Sequence, residues 1–282
     1  MNYKLSIAIV TRHRPESLER TLKSLVSQEV TPFEILISDD SKLEDMISAN
    51  KRLAQIYGCH YYTGPGKGLY ANRNFIAKQC KGTHFRSMDD DHEFPENHIK
   101  DCMEAIQLDD KAIWVIGEYY PWDKERPIPS PAPGQLHPRG FSYAPSQNDE
   151  YFAISCGATI YPISVVEQNI LNSEAYQFGK LYLEYGLRLK AKGYNIKHLS
   201  STYVIHHIDE NKGTSIATAA DKHSLNISNG AKIYAMLMLS FKYKKTLKNQ
   251  LLTLMEIGKG LITNQISIAA LSSAYSHYKK DA

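Results

Sequence analysis

The sequence predicts an α/β fold with a mostly parallel central sheet flanked by helices, followed by a helical extension. Three observations carry that expectation. Short apolar, β-branched runs alternate with amphipathic helical patterns; acidic or glycine-rich turns follow several of the runs; and the alternation lapses in a proline-rich stretch before it resumes. Strands alternating with helices at this spacing imply right-handed βαβ units and a sheet covered on both faces, with ligands beyond the carboxyl ends of its strands.

Leu5–Val10 is the first predicted strand, and Thr11-Arg12-His13-Arg14 leads from it to Pro15, a residue suited to the first position of a helix. That helix carries Leu18, Leu22, Leu25 and Val26 on one stripe and ends near Val30-Thr31-Pro32. Phe33–Ile37 is the second strand, stopping at Ser38-Asp39-Asp40-Ser41. Leu43–Tyr57 is helical by the spacing of Met46, Ile47, Leu53 and Ile56, and Cys59–Tyr62 is a third strand before Gly64-Pro65-Gly66-Lys67-Gly68. A helix over about Leu69–Gln79 leads to the strand Thr83–Met88 and then to Asp89-Asp90-Asp91. Pro95–Gln107 and Ala112–Glu118 supply one more helix and strand.

Seven of the twelve prolines then fall between Pro121 and Pro145, which predicts a long surface loop bordering the site. Tyr151–Tyr161 resumes as a strand, Ser164–Leu171 and Gln177–Lys192 as helices, and Ile196–Leu199 and Thr202–Ile205 as strands running up to His206-His207. Residues 209–230 are small and polar and suit a mobile flap. From Ala231 onward the pattern is that of two or three amphipathic helices, whose longest apolar run, Tyr234–Leu239, is far short of the roughly 20 residues that cross a bilayer.

At 282 residues, 43% hydrophobic and 22% charged, the chain has the composition of a folded domain and not of a disordered one. Cys59, Cys80, Cys102 and Cys156 show no Cys-x-x-Cys spacing and read as buried thiols, not as a disulfide framework or a zinc site. Met1–Val10 runs straight into a strand without the features of a secretory signal, so a cytoplasmic location is expected. The net charge of +3 is unevenly spread: residues 231–282 hold eight lysines against Glu256 and Asp281 and are +6, while the rest is −3. That basic segment is either a solvated face or a contact for an anionic membrane surface, with a peripheral location at its inner face; no nucleic-acid partner is expected.

Acidic residues at the ends of predicted strands carry the chemistry. In an extended segment alternate side chains share a direction, so Asp89 and Asp91 are expected to point together and Asp90 away. Two carboxylates aimed at one spot repel, an arrangement that a divalent cation stabilises. Oxygen ligands suit Mg²⁺ or Mn²⁺, which keep substrate phosphate oxygens in their shell, so a diphosphate is the expected guest. No glycine and twelfth-position Glu follow Asp89 as a Ca²⁺ loop of the EF-hand kind requires.

Taken in order, Ser6–Val10 with Thr11-Arg12, Ile35-Leu36-Ile37-Ser38-Asp39-Asp40-Ser41, Gly66-Lys67-Gly68-Leu69-Tyr70-Ala71-Asn72-Arg73-Asn74 and Met88-Asp89-Asp90-Asp91 resemble the inverting family-2 glycosyltransferases of the GT-A fold. The resemblance covers residues 4–215. It implies a GT-A domain over 1–215 and leaves 216–282 as a basic helical extension. It implies a nucleotide-sugar pocket formed by Thr11, Arg12, Asp39, Asp40, Arg73, Asp89 and Asp90. It also implies a Mn²⁺ or Mg²⁺ site of Asp91, Asp89 and His206, with Asp91 the principal ligand. Uridine is the expected base of the donor, and a glycan or lipid-linked molecule in cell-surface polysaccharide assembly the expected acceptor. Arg73 could instead be half of a surface ion pair, and His206-His207 a hydrogen-bonded pair.

Sugar transfer passes through an oxocarbenium-like state while charge grows on the departing diphosphate, and inversion needs a carboxylate base to take the acceptor's proton. Here the chain departs from the family. Aligning on Arg188 puts Leu181-Tyr182 where Glu-Asp is usual, and Glu184 at the second acid of that pattern. Glu184 is then the first candidate for the catalytic base, and equally an ordinary i,i+4 partner of Arg188; Glu174 is the second candidate. The runner-up reading is a nucleotide-sugar-binding accessory protein that has lost its chemistry. A nucleotidyltransferase would carry a glycine-rich phosphate loop after its first strand, which Thr11-Arg12-His13-Arg14-Pro15 is not.

Overall fold

The computed structural model describes residues 2–121, 134–144, 150–154, 157–207 and 222–282. Strands β1 (Leu5–Thr11), β2 (Glu34–Asp39), β3 (His60–Thr63) and β4 (His84–Asp89) alternate with helices α1 (Pro15–Val26), α2 (Glu44–Ile56) and α3 (Leu69–Ala77). There follow β5 (His92–Glu93), α4 (His98–Leu108), β6 (Ile113–Tyr119), β7 (Gln135–Leu136), β8 (Ser142–Tyr143), β9 (Thr159–Pro162), α5 (Ser164–Glu167), α6 (Leu181–Ala191) and β10 (Ile196–His206). The C-terminal part is α7 (Lys222–Leu237), a π-helical turn (Met238–Tyr243), α8 (Leu247–Ile262) and α9 (Ile268–Asp281). Eight strands form one sheet in the order β3-β2-β1-β4-β9-β6-β10-β5. Pairing is parallel from β3 to β4 and between β6 and β10; β9 runs antiparallel between β4 and β6, and β5 antiparallel on the edge beside β10.

β1 is apolar at nearly every position because both its faces are covered. Ile7 and Ile9 pack with Leu18, Leu22 and Ile106 of α1 and α4, while Ala8 and Val10 pack with Ile76 of α3. A third core joins Tyr70 of α3 and Leu181 of α6 to Tyr234, Met236, Ile257 and Ala274, so α7, α8 and α9 lie on the same body of structure as the sheet. The expected boundary between residues 215 and 216 lies outside the described residues. Cys102 is buried and Cys59 and Cys80 half-buried, all three as free thiols. No helix among the described residues is long and apolar enough to cross a membrane.

Several elements differ from the sequence reading for local reasons. The strand expected over 151–161 shrinks to Thr159–Pro162: Ala153 is drawn off to bridge Gly134, and Gly157 adopts φ +92°, outside strand geometry. The two strands expected before His206 are one, with a register shift between Leu199 and Tyr203 that lets Ser200 and Ser201 sit exposed. The helix expected from Gln177 starts at Leu181, because Gly179 turns the chain at φ +109° and the Gln177 carbonyl accepts from the Leu69 amide. Residues 222–230, expected in a flap, belong to α7; the rest of that expectation, 209–221, lies outside the described residues, as does most of the proline-rich loop.

α6 meets the 150–154 segment at closest range through Gly186, where an added Cβ would lie 1.7 Å from the Phe152 carbonyl oxygen. Gly186→Ala is therefore expected to destabilise by about 1–3 kcal/mol through overpacking. A melting temperature unchanged from the parent would show that this contact gives way freely.

Candidate active site

The parallel register brings the ends of three strands together. Thr11 pairs with Asp39 and Val10 with Asp89, so the acidic exits of β2 and β4 flank the exit of β1. Asp39 is buried and accepts hydrogen bonds from Asn50 Nδ2 and Tyr61 Oη, both at 2.9 Å, and from the Ser41 amide at 2.7 Å. These donors fix the carboxylate's orientation. Asp40 faces the glycine loop: Gly66 N donates to its Oδ1 at 2.8 Å, and a Cβ on Gly64 would sit 2.2 Å from that oxygen. Burial raises the Asp40 pKa, opposed by the Gly66 amide and by the half-buried Arg12.

Arg73 is buried and its Nη2 lies 2.7 Å from Asp89 Oδ1, so this is not a pair on an exposed helix surface. Asp89 Oδ1 is thereby taken by a guanidinium, and the group of ligand atoms that could hold a metal forms on Asp91, His92 and His206 without Asp89. The alternation expected through Asp89-Asp90-Asp91 explains a second correction. Asp90 points inward, fully buried, where Thr11 Oγ1 donates to it at 2.5 Å and Arg14 forms an ion pair with it. Thr11 and Asp90 therefore face each other and not a nucleotide. Thr21 of α1 pins the same turn by donating to the Asp90 and His92 carbonyls at 2.8 and 2.7 Å.

Asp91 meets two histidines. β5 pairs with the end of β10 so that His92 stands opposite His206, the rings edge-on with centroids 4.7 Å apart. Asp91 Oδ1 is 3.4 Å from His206 Nε2 and 3.9 Å from His92 Nε2, while Arg14 Nη1 takes Oδ2 at 3.1 Å. One ligand atom from each of Asp91, His92 and His206 falls within a 4.8 Å group. His92 is fully buried, and neither ring nitrogen has a hydrogen-bond partner among the described residues. Glu118 Oε2 lies 3.1 Å from His206 Nδ1 and so aims Nε2 at Asp91. Burial opposes charge on His206, but Asp91 and Glu118 outweigh it and push its pKa up to about 10. Burial also opposes charge on Asp91, and His206, His92 and Arg14 overcome it and hold the carboxyl below its usual range. The sequence reading missed His92 and Arg14; both sit beside recognised motifs, one directly after Asp91 and the other directly before Pro15.

Glu184 is the largest departure. It is fully buried, with Oε2 2.8 Å from Arg188 Nη2, Oε1 3.2 Å from Arg188 Nε, and Tyr243 Oη donating to Oε1 at 3.2 Å. Arg188 Nη1 also donates to the Leu171 carbonyl at 3.0 Å. Burial raises the Glu184 pKa and the Arg188 charge opposes it. This carboxylate has no surface to offer an acceptor, so the expectation that it is the base is replaced by the i,i+4 alternative. Glu174 is exposed, with Oε1 accepting from Asn74 Nδ2 at 2.9 Å, next along the chain from Arg73. It borders an open polar cleft of about 460 Å³ shared with Asn74, Asn172, Ser173, Arg188 and His277. Tyr182 lines a small neighbouring cavity with Arg73, Ser87 and Asn172.

Comparison with known proteins identifies the family and the fold. The model of the family described as Glycosyl transferase family 2 matches residues 6–170. A curated Campylobacter jejuni protein, GalNAc(5)-diNAcBac-PP-undecaprenol beta-1,3-glucosyltransferase, is 28% identical over 108 residues, which is 36% of this chain and only 34% of that protein's length. Among solved structures, S. aureus TarS 1–349 in complex with UDP-GlcNAc is similar at TM-score 0.58 and 14% identity, over 98% of this chain and 89% of that one. GalNAc-T7 with UDP, GalNAc and Mn²⁺ is similar at TM-score 0.65 and 14% identity, over 86% of this chain and 49% of that one. At such identities the likeness shows a shared GT-A fold.

Proposed function

We propose, from the premise that this chain belongs to glycosyl transferase family 2, that it moves a sugar with inversion from a UDP-sugar to a hydroxyl of a glycan or lipid-linked acceptor in cell-surface polysaccharide assembly. The carrying observation is the convergence at adjacent strand ends of Asp39, the Arg73–Asp89 pair and the Asp91–His206 pair. In this reading Asp39, with Asp40 and Arg12 beside it, would line the pocket of the donor's base, and Arg73 with Asp89 would meet its ribose and phosphates. The lipid-linked acceptor named for the C. jejuni protein and the UDP-sugar bound by TarS support the two substrate classes.

The donor set fits a divalent ion: His92 presents buried ring nitrogens without a hydrogen-bond partner among the described residues, beside a carboxylate held ionised. Asp91, His92 and His206 would hold Mn²⁺ or Mg²⁺, which supplies Lewis-acid stabilisation of the charge that grows on the departing diphosphate. Imidazole ligands favour Mn²⁺ of the two. If His92 is a ligand, His92→Ala weakens Mn²⁺ binding at least about tenfold in calorimetric titration; unaltered affinity in a folded variant would leave Asp91 and His206 as the ligands from this chain. With Glu184 enclosed, Glu174 takes the role of base: it is solvent-accessible, held by Asn74, and opens onto the cleft where an acceptor hydroxyl can approach.

The test is a panel of nucleotide-sugars with and without Mn²⁺, read by melting temperature and by release of nucleoside diphosphate, since a ligand of the folded state raises its melting point. A UDP-sugar should do both. The replacement of the usual Glu-Asp by Leu181-Tyr182 favours one other reading, an accessory protein that binds donor without transferring it. Stabilisation by a UDP-sugar without diphosphate release over a panel of glycan and lipid-linked acceptors would select that reading, and no stabilisation by any member would remove both.

A further inference from the structure

α8 turns its apolar side the wrong way for a core helix. Thr253, Ile257 and Gly260 are buried against the protein, yet Leu247, Leu251, Leu254, Met255 and Ile262 point outward with exposures of 71, 51, 54, 68 and 85%. At 3.6 residues per turn these five fall within one arc, opposite the buried three. Ile268, at the start of α9, is 80% exposed just beyond the end of that arc. An apolar strip of this extent on a helix surface is uncommon without an occupant.

The charges around the strip say which occupant. Exposed Lys248 and Lys259 lie along one edge, and exposed Lys245 immediately precedes the helix. Glu256 is the sole acid in the α8 sequence, and it faces away from the strip, 2.9 Å from Arg139 Nε and 3.8 Å from Lys232 Nζ. Among the residues of α8, the outward side therefore offers apolar chains bordered by lysines and no acid. A protein partner would have to match both; a bilayer rich in anionic lipid matches them by construction, with acyl chains beneath and phosphates at the level of the ammonium groups.

We propose that the outer face of α8, continued by Ile268, lies in the headgroup region of an anionic membrane and holds the protein there. The inference uses none of the residues of the transfer site and stands or falls apart from it. The full chain should co-sediment with vesicles of equal parts phosphatidylglycerol and phosphatidylcholine, and fail to do so with phosphatidylcholine alone. The double variant Leu251→Glu, Met255→Glu should lower the bound fraction at least tenfold with no fall in melting temperature, because neither side chain is needed for packing. Lys245→Glu with Lys248→Glu should lower it as well and steepen no other property of the fold. Absence of binding to the anionic vesicles, or equal binding by the Leu251/Met255 variant, would overturn the proposal. So would a parent that is dimeric by light scattering and a variant that is monomeric, which would assign the face to a second copy of the chain. Stabilisation by a UDP-sugar, measured on the same variants without vesicles, reports separately on the transfer reading.

Discussion

Asp91→Asn is expected to abolish tight divalent-cation binding and to lower turnover by about 100- to 1000-fold, the scale seen when one electrostatic stabiliser of a developing negative charge is removed. The substitution is nearly isosteric, so the cause would be charge. Asp91 is held ionised despite its burial because His206, His92 and Arg14 converge on it, and an amide supplies neither the charge nor the second acceptor oxygen. Arg14 keeps Asp90 as its partner in the variant, so the turn after β4 remains anchored through Asp90 and Thr21. The measurement pairs calorimetric titration of Mn²⁺ with initial rates on the best donor, and uses circular dichroism to show that the fold is intact. Rates close to those of the parent would take Asp91 out of the chemistry altogether.

The part of this site that was legible in the sequence is the part governed by strand periodicity. β1, β2 and β4 are buried, continuous and bounded by turns, so their ends could be read, and with them Asp39, Asp89 and Asp91. The alternation rule turned Asp90 away from Asp89 and Asp91; what it could not supply was that this direction is inward, or the identity of its partner, Arg14, which arrives from the N-cap of α1 across the sheet end. His92 was hidden for a different reason. β5 has two residues, too few for any period to register, and it is made a strand only by pairing with the far end of β10 more than a hundred residues away. Gly157, whose absent Cβ leaves room for His92 and Arg73, likewise gains its meaning only from what packs against it. Glu184 shows the limit of motif alignment: position along α6 is set by sequence, but whether that position faces a cleft or a core depends on the π-helical turn that brings Tyr243 over it.

Glu184 and Glu174 sit in opposite environments, one enclosed and one exposed. Glu184→Gln should behave as a core lesion. Removing one partner of a buried ion pair costs about 3–5 kcal/mol, and at roughly 2 °C or more per kcal/mol for a chain of this size the melting temperature should fall by about 6 °C or more. The Arg188 guanidinium, still tied to the Leu171 carbonyl, would be left facing an amide beneath Tyr243. Turnover per folded molecule should survive, because the group never meets an acceptor. Glu174→Gln should do the reverse. Its side chain is exposed and an amide oxygen can still accept from Asn74, so stability should barely change. A glutamine cannot take the acceptor's proton, and loss of a positioned general base lowers turnover by about 100- to 10,000-fold. The donor's dissociation constant should stay put, since the base acts on the other substrate. Differential scanning and initial-rate assays on the two variants separate the roles cleanly: if Glu184→Gln melts like the parent and loses turnover while Glu174→Gln keeps it, the base lies on α6 after all and the enclosed geometry around Arg188 must open during catalysis.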